Sequence, residues 1–240
     1  MKHHLFARLF MTAWVVIALA LVPISGALGA ELAKEQVARL ALGVADIGTL
    51  DPHFFTKIGE GPVIYSVYEA MLRHPPGLID IEKIQPCLAE RWEVGADKLT
   101  WTFYLRKGVQ WHEGYGEFTA EDVKFSLERV LDPKVGSPAR KRLPAIVSIT
   151  TVDAYTIQIK TKNVVPDLPA MLVNEQPGYI VCKKAVEKLG KDIKYHPVGT
   201  GPFMFESYKP RESITLTAND KYWGGKPTLR KVLFSYIPDN

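Results

Sequence analysis

The sequence predicts a mixed α/β fold of the α+β kind, a mixed-sheet lobe flanked by helices and hairpins. Three observations carry that prediction. Short extended runs with period-two alternation dominate the chain, several of them fall into hairpin pairs, and a few helical patterns separate the pairs. With 47% hydrophobic residues in 240 there is ample material for a core, as one large domain or two small ones.

The first 29 residues stand apart from this pattern. Met1–Arg8 carries Lys2 and Arg8 and no acid, and Leu9–Val22 is almost wholly apolar. Pro23, Ser25, Gly26, Ala27 and Gly29 then follow as small or turn-forming residues. A positive start, a short apolar core and a small-residue exit make a secretory signal peptide, cleaved after Ala27 or Gly29. The apolar run is shorter than the about 20 residues that a membrane-spanning helix needs. No cysteine follows it, so a lipid-anchored N-terminus is not expected. An exported chain is therefore expected, with residues 30–240 as its folded part.

Val37–Leu42 reads as the opening strand, ended by Gly43. Gly48–Pro52 is a loop, because Pro52 pushes Asp51 away from helix. Gly61–Leu72 reads as a helix, with Pro62 in its first turn and Val63, Val67, Ala70 and Met71 at helical spacing. Leu99–Leu105 alternates cleanly, with Leu99, Trp101, Phe103 and Leu105 on the inner face. Lys107-Gly108 turns the chain into an extended Val109–Trp111. Ile146–Val152 and Tyr155–Ile159 form a hairpin through Asp153-Ala154. Lys183–Leu189 is a short helix closed by Gly190, a favoured residue just past a helix end. Phe203–Tyr208 and Ser213–Thr217 form a second hairpin, and Val232–Ile237 is the last strand. A chain that stops straight after a strand is expected to be cut short.

Composition and spacing exclude several functions. Removing Lys2 and Arg8 from a formal net charge of +4 leaves +2. The basic residues are interspersed with acids rather than gathered on a face, against nucleic-acid binding. Cys87 and Cys182 lie in a compartment that permits a disulfide, and their spacing neither requires nor forbids one. His53, His74, His112 and His196 are far apart, so no metal is expected. No Gly-x-Ser-x-Gly elbow is present. Gly199-Thr200-Gly201-Pro202 lacks the Gly-Lys-Ser/Thr ending of a phosphate loop, and its glycines read as turn residues.

The stretch Trp111–Val123, WHEGYGEFTAEDV, first looks like a metal or catalytic site. Adjacent residues on an extended chain point to opposite faces, which argues against shared ligation by His112 and Glu113. Gly114–Phe118 turns the chain. Thr119 then sits where a helix cap belongs, ahead of Val123, Leu127 and Val130 at helical spacing. Asp122 stands in the place of the usual capping-box glutamate. The stretch therefore reads as scaffold.

Several stretches in order resemble the extracytoplasmic solute-binding proteins of ABC importers, family 5, the peptide/nickel/opine-binding class. They are GTLDPH at Gly48–His53, LAERWE at Leu88–Glu93, LTWTFYLRKGVQWHEG at Leu99–Gly114 and TAEDVKFSLER at Thr119–Arg129. VGTGPF at Val198–Phe203, NDKYWGGKP at Asn219–Pro227 and FSYIPD at Phe234–Asp239 complete the set. The resemblance implies a two-lobed periplasmic binding protein of type II, which closes over a small solute or oligopeptide and delivers it to ABC permease subunits. It also implies that residues 30–240 hold an incomplete N-terminal lobe, with the second lobe largely missing. Such a chain is expected to be periplasmic and monomeric, to bind weakly, and to be unable to close a hinge. No enzyme activity and no cofactor are expected. An exported hydrolase, or a receptor module without a transport role, is the alternative on a similar scaffold.

In that family the segment after Leu50-Asp51-Pro52 runs along the cleft, which here makes Phe54, Phe55, Thr56, Lys57 and Ile58 the ligand candidates. Free backbone groups on such an edge can pair with an extended peptide. The alternative places Phe54 and Phe55 in the core. Arg140 lies in a region that approaches the pocket in relatives and would neutralise a ligand carboxylate. Its alternative is a solvated basic run with Lys141 and Arg142. Tyr115 and Thr200 are further ligand candidates. Trp92, Trp101, Trp111, Tyr222 and Trp223 are assigned to packing.

Overall fold

Period-two runs become strands and the capped patterns become helices throughout residues 35–80, 82–173 and 176–237, which the computed structural model describes. The expected signal peptide lies outside these residues, and no helix among them is long and apolar enough to cross a membrane. In chain order the elements are β1 (Val37–Leu42), α1 (Gly61–Val67), β2 (Leu72–Arg73), β3 (Gln85–Pro86), β4 (Ala89–Val94), β5 (Thr100–Leu105) and α2 (Ala120–Leu131). They continue with β6 (Ile146–Asp153), β7 (Thr156–Thr161), α3 (Leu168–Met171), α4 (Lys183–Leu189), β8 (Phe203–Lys209), β9 (Ser213–Ala218) and β10 (Lys231–Tyr236).

The strands form two four-stranded sheets and one short two-stranded pair. In the sheet ordered β1-β10-β9-β8, the first and last strands in sequence run parallel, with Val37 opposite Lys231 and Leu42 opposite Tyr236. The remaining pairs of that sheet are antiparallel. The sheet ordered β4-β5-β7-β6 is antiparallel throughout. The alternation predicted for β5 holds: Trp101, Phe103 and Leu105 are buried, and the residues between them are partly exposed. That inner face packs against Val123 and Leu127 of α2 and against Leu168, Cys182 and Ala185 to form one core cluster. A second cluster joins Leu42, Ile214, Leu216, Val232 and Phe234 of the other sheet to Val63, Ile64 and Val67 of α1. Cys182 belongs to the first cluster, and both cysteines are buried free thiols.

One expectation needs correction and one needs sharpening. The helix from Gly61 ends at Val67, not at Leu72, and Tyr68 is already extended at φ −102° and ψ 151°. Partners distant in sequence take over the carbonyls beyond this point. Glu69 O accepts from Ile180 N at 2.9 Å, Ala70 O from Leu88 N at 3.2 Å, and Met71 O from Ala89 N at 2.9 Å. Residues 68–72 are apolar at nearly every position and bury on both sides, so they stitch the two cores together as extended chain. The second point concerns Gly199 and Gly201, whose need for glycine is not a left-handed backbone, since neither adopts positive φ. They are needed for close approach: a Cβ on Gly199 would lie 1.9 Å from the Val67 carbonyl oxygen, and one on Gly201 would lie 2.7 Å from it. Gly201 N donates to that same oxygen at 2.9 Å.

The WHEGYGEFTAEDV stretch is scaffold, as expected, with its tip now defined. Val109–Phe118 folds back on itself, Trp111 N donating to Gly116 O at 2.8 Å and Phe118 N to Val109 O at 2.9 Å. His112–Gly114 is a 3-10 turn at the tip rather than extended chain, with Glu113 at φ 56°. Buried Asp122 accepts from Thr119 N at 3.1 Å and Trp111 Nε1 at 3.2 Å, and its other oxygen accepts from Lys183 N at 3.1 Å. One carboxylate thus serves the start of two helices, α2 and α4. Burial raises its pKa above the ordinary aspartate value.

Gly199→Ala is expected to lower unfolding stability by about 3 kcal/mol or more, because the new methyl group meets backbone rather than a yielding side chain. Gly43→Ala, where nothing lies within 4 Å of the added carbon, should change it by less than about 0.5 kcal/mol. Urea unfolding of the two variants side by side checks this, and similar midpoints would refute the close-packing role.

Candidate ligand cleft

The loop between β1 and α1 carries most of the predicted ligand residues, and buried charges fix its course. Arg129, in the last turn of α2, grips Asp51 with both ends of its guanidinium, Nη1 to Oδ1 at 3.1 Å and Nη2 to Oδ2 at 2.5 Å. Both side chains are largely buried, at 12% and 5% exposure. The same Nη1 donates to His53 Nδ1 at 2.9 Å. His53 Nε2 lies 2.8 Å from the carbonyl of Tyr179, which can only accept. His53 must therefore be neutral, with its proton on Nε2 and its lone pair toward Arg129. Burial, the largest cause, pushes its pKa down to about 4, and the neighbouring Arg129 charge adds to this against the opposing pull of Asp51. Ser137 Oγ closes the set by donating to His53 O at 2.7 Å.

Glu60 fixes the other half of the loop. Its buried carboxylate accepts four backbone N–H groups: Gly48 at 2.6 Å and Thr49 at 3.3 Å on Oε1, with Thr56 and Lys57 at 3.1 Å each on Oε2. Phe54 N and Phe55 N donate to Asp51 O at 3.1 and 3.2 Å. The expectation of free edge donors for an extended peptide therefore does not hold. The amides of residues 54–57 all turn inward, and the Gln176 side-chain amide donates to Phe55 O. The loop offers a ligand its side chains.

Those side chains open on a cleft of about 430 Å³ lined by Phe55, Thr56, Lys57, Ile58, Tyr65, Pro138, Arg142 and Gln176. Phe55 meets Tyr65 edge to face, with ring centroids 6.3 Å apart. Ile58 is 95% exposed, an unusual state for a large aliphatic residue. Lys57 and Arg142 bring positive charge to the walls, suited to a carboxylate.

Four of the predicted residues, Phe55, Thr56, Lys57 and Ile58, converge here, and the structure places the other four elsewhere. Phe54 points to the opposite side of the loop, where the Arg129 guanidinium stands 5.2 Å from its ring. Tyr115 packs on the first core, with Lys188 Nζ 5.3 Å from its ring. Arg140 donates from Nε to Leu131 O at 2.9 Å. It sits with Arg142 in the 3-10 helix Pro138–Arg142. At about three residues per turn, residues two apart leave that helix on different sides. Thr200 is buried and donates to Glu69 Oε2 at 2.9 Å.

Glu69, like Glu60, was not singled out in the sequence. Besides Thr200 it accepts from Trp223 Nε1 and Tyr222 OH, both at 2.8 Å, and faces Cys87 Sγ at 3.6 Å. Its pKa is raised by burial, with these donors pulling the other way. His112 is likewise locked and neutral, Nε2 donating to Gly201 O at 2.9 Å and Nδ1 accepting from Gly199 N at 3.3 Å. Burial lowers its pKa to about 4. Its neighbour Glu113 points away, to His196 Nε2 at 2.8 Å. Nothing but tertiary proximity marks Glu60, Tyr65 and Gln176. Arg142 was visible only as one member of a basic run.

Comparison with known proteins decides the family. Residues 83–240 match the model for "Bacterial extracellular solute-binding proteins, family 5 Middle". The chain belongs to the family 5 solute-binding proteins. A crystal structure of MoaA from A. tumefaciens R10 in complex with mannopinic acid superposes with a TM-score of 0.81 at 42% identity, over 84% of this chain and 41% of that one. DppA from Helicobacter pylori in complex with the peptide STSA gives 0.74 at 31% identity, over 85% of this chain and 43% of that one. A putative ABC transporter peptide-binding protein of Brucella ovis is 35% identical over 163 residues, 66% of this chain and 31% of its own length. This family 5 chain thus spans less than half the length of each of these relatives, all of which are binding proteins by name.

Two predictions follow from the buried charges. Arg129→Met leaves Asp51 buried without its cation and should cost about 3–5 kcal/mol of stability, measured by urea unfolding. For pH, His53 and His112 have folded pKa values of about 4 against an ordinary 6.5. Between those values the unfolded chain binds more protons. Their stabilisation is thus whole above pH 6.5 and falls on acidification through the window, by about 1.4 kcal/mol per pH unit for each histidine. Glu69 and Asp122, with raised pKa values, act in the opposite sense. The diagnostic quantity is therefore a difference: from pH 6.5 to 4, His112→Gln should lose less stability per pH unit than the parent chain. Equal slopes would exclude His112 as a contributor.

Proposed function

We propose that this chain is the ligand-capturing lobe of a solute-binding protein that serves an ABC importer. It binds a peptide-like or related small solute outside the cytoplasmic membrane. The observation that carries the reading is the cleft beside the Asp51–Glu60 loop. Four consecutive loop residues line it, the loop is pinned by Arg129 and Glu60, and Lys57 and Arg142 supply charge for a ligand carboxylate. The ligands named for the relatives, mannopinic acid and the peptide STSA, both carry carboxylates, which fits such walls. Residues 1–29 act as the export signal and residues 30–240 as the lobe, which works as a monomer with the permease's transmembrane subunits as its partner.

Binding is favoured over hydrolysis by the state of the nucleophile candidates. Burial pushes the Cys182 thiol up to about 11 and raises Cys87 further, away from the thiolate form that catalysis uses. Ser126 Oγ is spent on Asp122 O at 2.7 Å and on Val181 N at 2.9 Å.

Isothermal titration of the full chain with mannopinic acid and with the peptide STSA tests the proposal. At least one should bind saturably, with a Kd of about 0.1–1 mM from a single lobe. Lys57→Gln combined with Arg142→Gln should weaken that binding by about tenfold or more. Saturable binding untouched by the double substitution would move the site elsewhere, and no binding of either solute would remove the assignment of this cleft.

A further inference from the structure

Arg129 has donors left over. Both hydrogens on Nη1 and one on Nη2 go to Asp51 and His53. The Nε–H and the second hydrogen of Nη2 meet no acceptor among the described residues. Although the side chain is only 12% exposed, Nε is not sealed from solvent. These two donors lie along one edge of the planar guanidinium, a fork that a carboxylate takes with both oxygens. Asp51 holds the end of the group and His53 its other side, so this edge is the one left open.

The arginine forms part of the wall of a second hollow, of about 540 Å³, on the side of the loop to which Phe54 points. Phe54, Val186 and Ile193 give it an apolar face, and the exposed Lys191 and Lys194 stand beside them. It shares no lining residue with the cleft described above. Asp51 also borders it, but its carboxylate oxygens are spent on Arg129 and on His53 N at 3.0 Å. The two lysines therefore supply the net charge here. Neither meets an acid among the described residues, and Lys194 Nζ stands 4.6 Å from the Tyr195 ring. An open guanidinium fork selects a planar carboxylate over a neutral guest. The apolar face selects a guest whose remainder is hydrocarbon. Inorganic phosphate would use the charge alone, and a dicarboxylate would press its second charge against apolar walls.

We propose that this hollow is a second ligand site, which takes an apolar monocarboxylate of the alkanoate class. Its carboxylate bridges Nε and Nη2 of Arg129, and its chain lies along Phe54, Val186 and Ile193. Lys191 and Lys194 offset the charge that Asp51 brings to the same guanidinium.

The test is a titration of the ¹³C,¹⁵N-labelled full chain with sodium hexanoate at constant ionic strength. It is read at the Arg129 Nε–H resonance, assigned through its own side-chain carbons. The resonance should move saturably, with a Kd of about 1–10 mM. Hexanamide, which keeps the chain and lacks the charge, should bind at least about tenfold more weakly. Acetate, which keeps the charge and lacks the chain, should do the same. Lys191→Gln combined with Lys194→Gln, both on the surface, should weaken hexanoate by about threefold or more. Lys57→Gln combined with Arg142→Gln, in the cleft, should leave it unchanged. A resonance that stays still at about 50 mM hexanoate, well above that Kd, would overturn the proposal. Equal binding of hexanamide or acetate would overturn it too, as would loss of binding in the cleft variant.

Discussion

The bidentate pair of Arg129 and Asp51 is the contact on which the cleft depends. It joins the last turn of α2, which packs on one sheet, to the loop leaving β1, which belongs to the other. A buried ion pair is a weak source of net stability, since desolvation offsets most of its attraction, but it is strongly directional. Here the direction is what matters. The guanidinium fork fixes Asp51, the carbonyl of Asp51 holds the amides of Phe54 and Phe55, and those two rings leave on opposite sides of the chain. His53 completes the arrangement only as a neutral ring, because Arg129 and the Tyr179 carbonyl leave it one lone pair and one proton to offer.

Buried carboxylates repeat this role across the lobe. Glu60 gathers four amides of its own loop, Asp122 starts two helices, and Glu69 ties the extended crossing at residues 68–72 to Thr200, Tyr222 and Trp223. Each is surrounded by donors, which is the condition for burying a carboxylate at tolerable cost. Asp122 and Glu69 also join segments far apart in sequence. The stretches around Asp51, Trp111, Asp122, Arg129, Thr200 and Trp223 are largely the two ends of these bonds.

The wiring fixes the path of the loop through the main chain, and the side chains of Phe55, Thr56, Lys57 and Ile58 line the hollow beside it. Relatives named for mannopinic acid and for a peptide superpose on the same lobe.

Strands β1 and β5–β10, both hairpins, the capped helix at Thr119 and the family itself were legible in the sequence, because period, caps and turn residues act over a few positions; β2, β3 and β4 were not. Phe55 to Ile58, which the motif before them suggested for a cleft, do line the hollow beside their loop. What the sequence could not decide was set by partners distant along the chain. The helix at Gly61 stops at Val67 because the carbonyls beyond it meet Ile180, Leu88 and Ala89, and local propensity carries no sign of those partners. Thr200 faces inward because Glu69 awaits it. Arg142 rather than Arg140 reaches the cleft because a 3-10 turn separates them by angle. Local chemistry determined most elements and their order; only tertiary contact decided which polar side chains are consumed inside the fold.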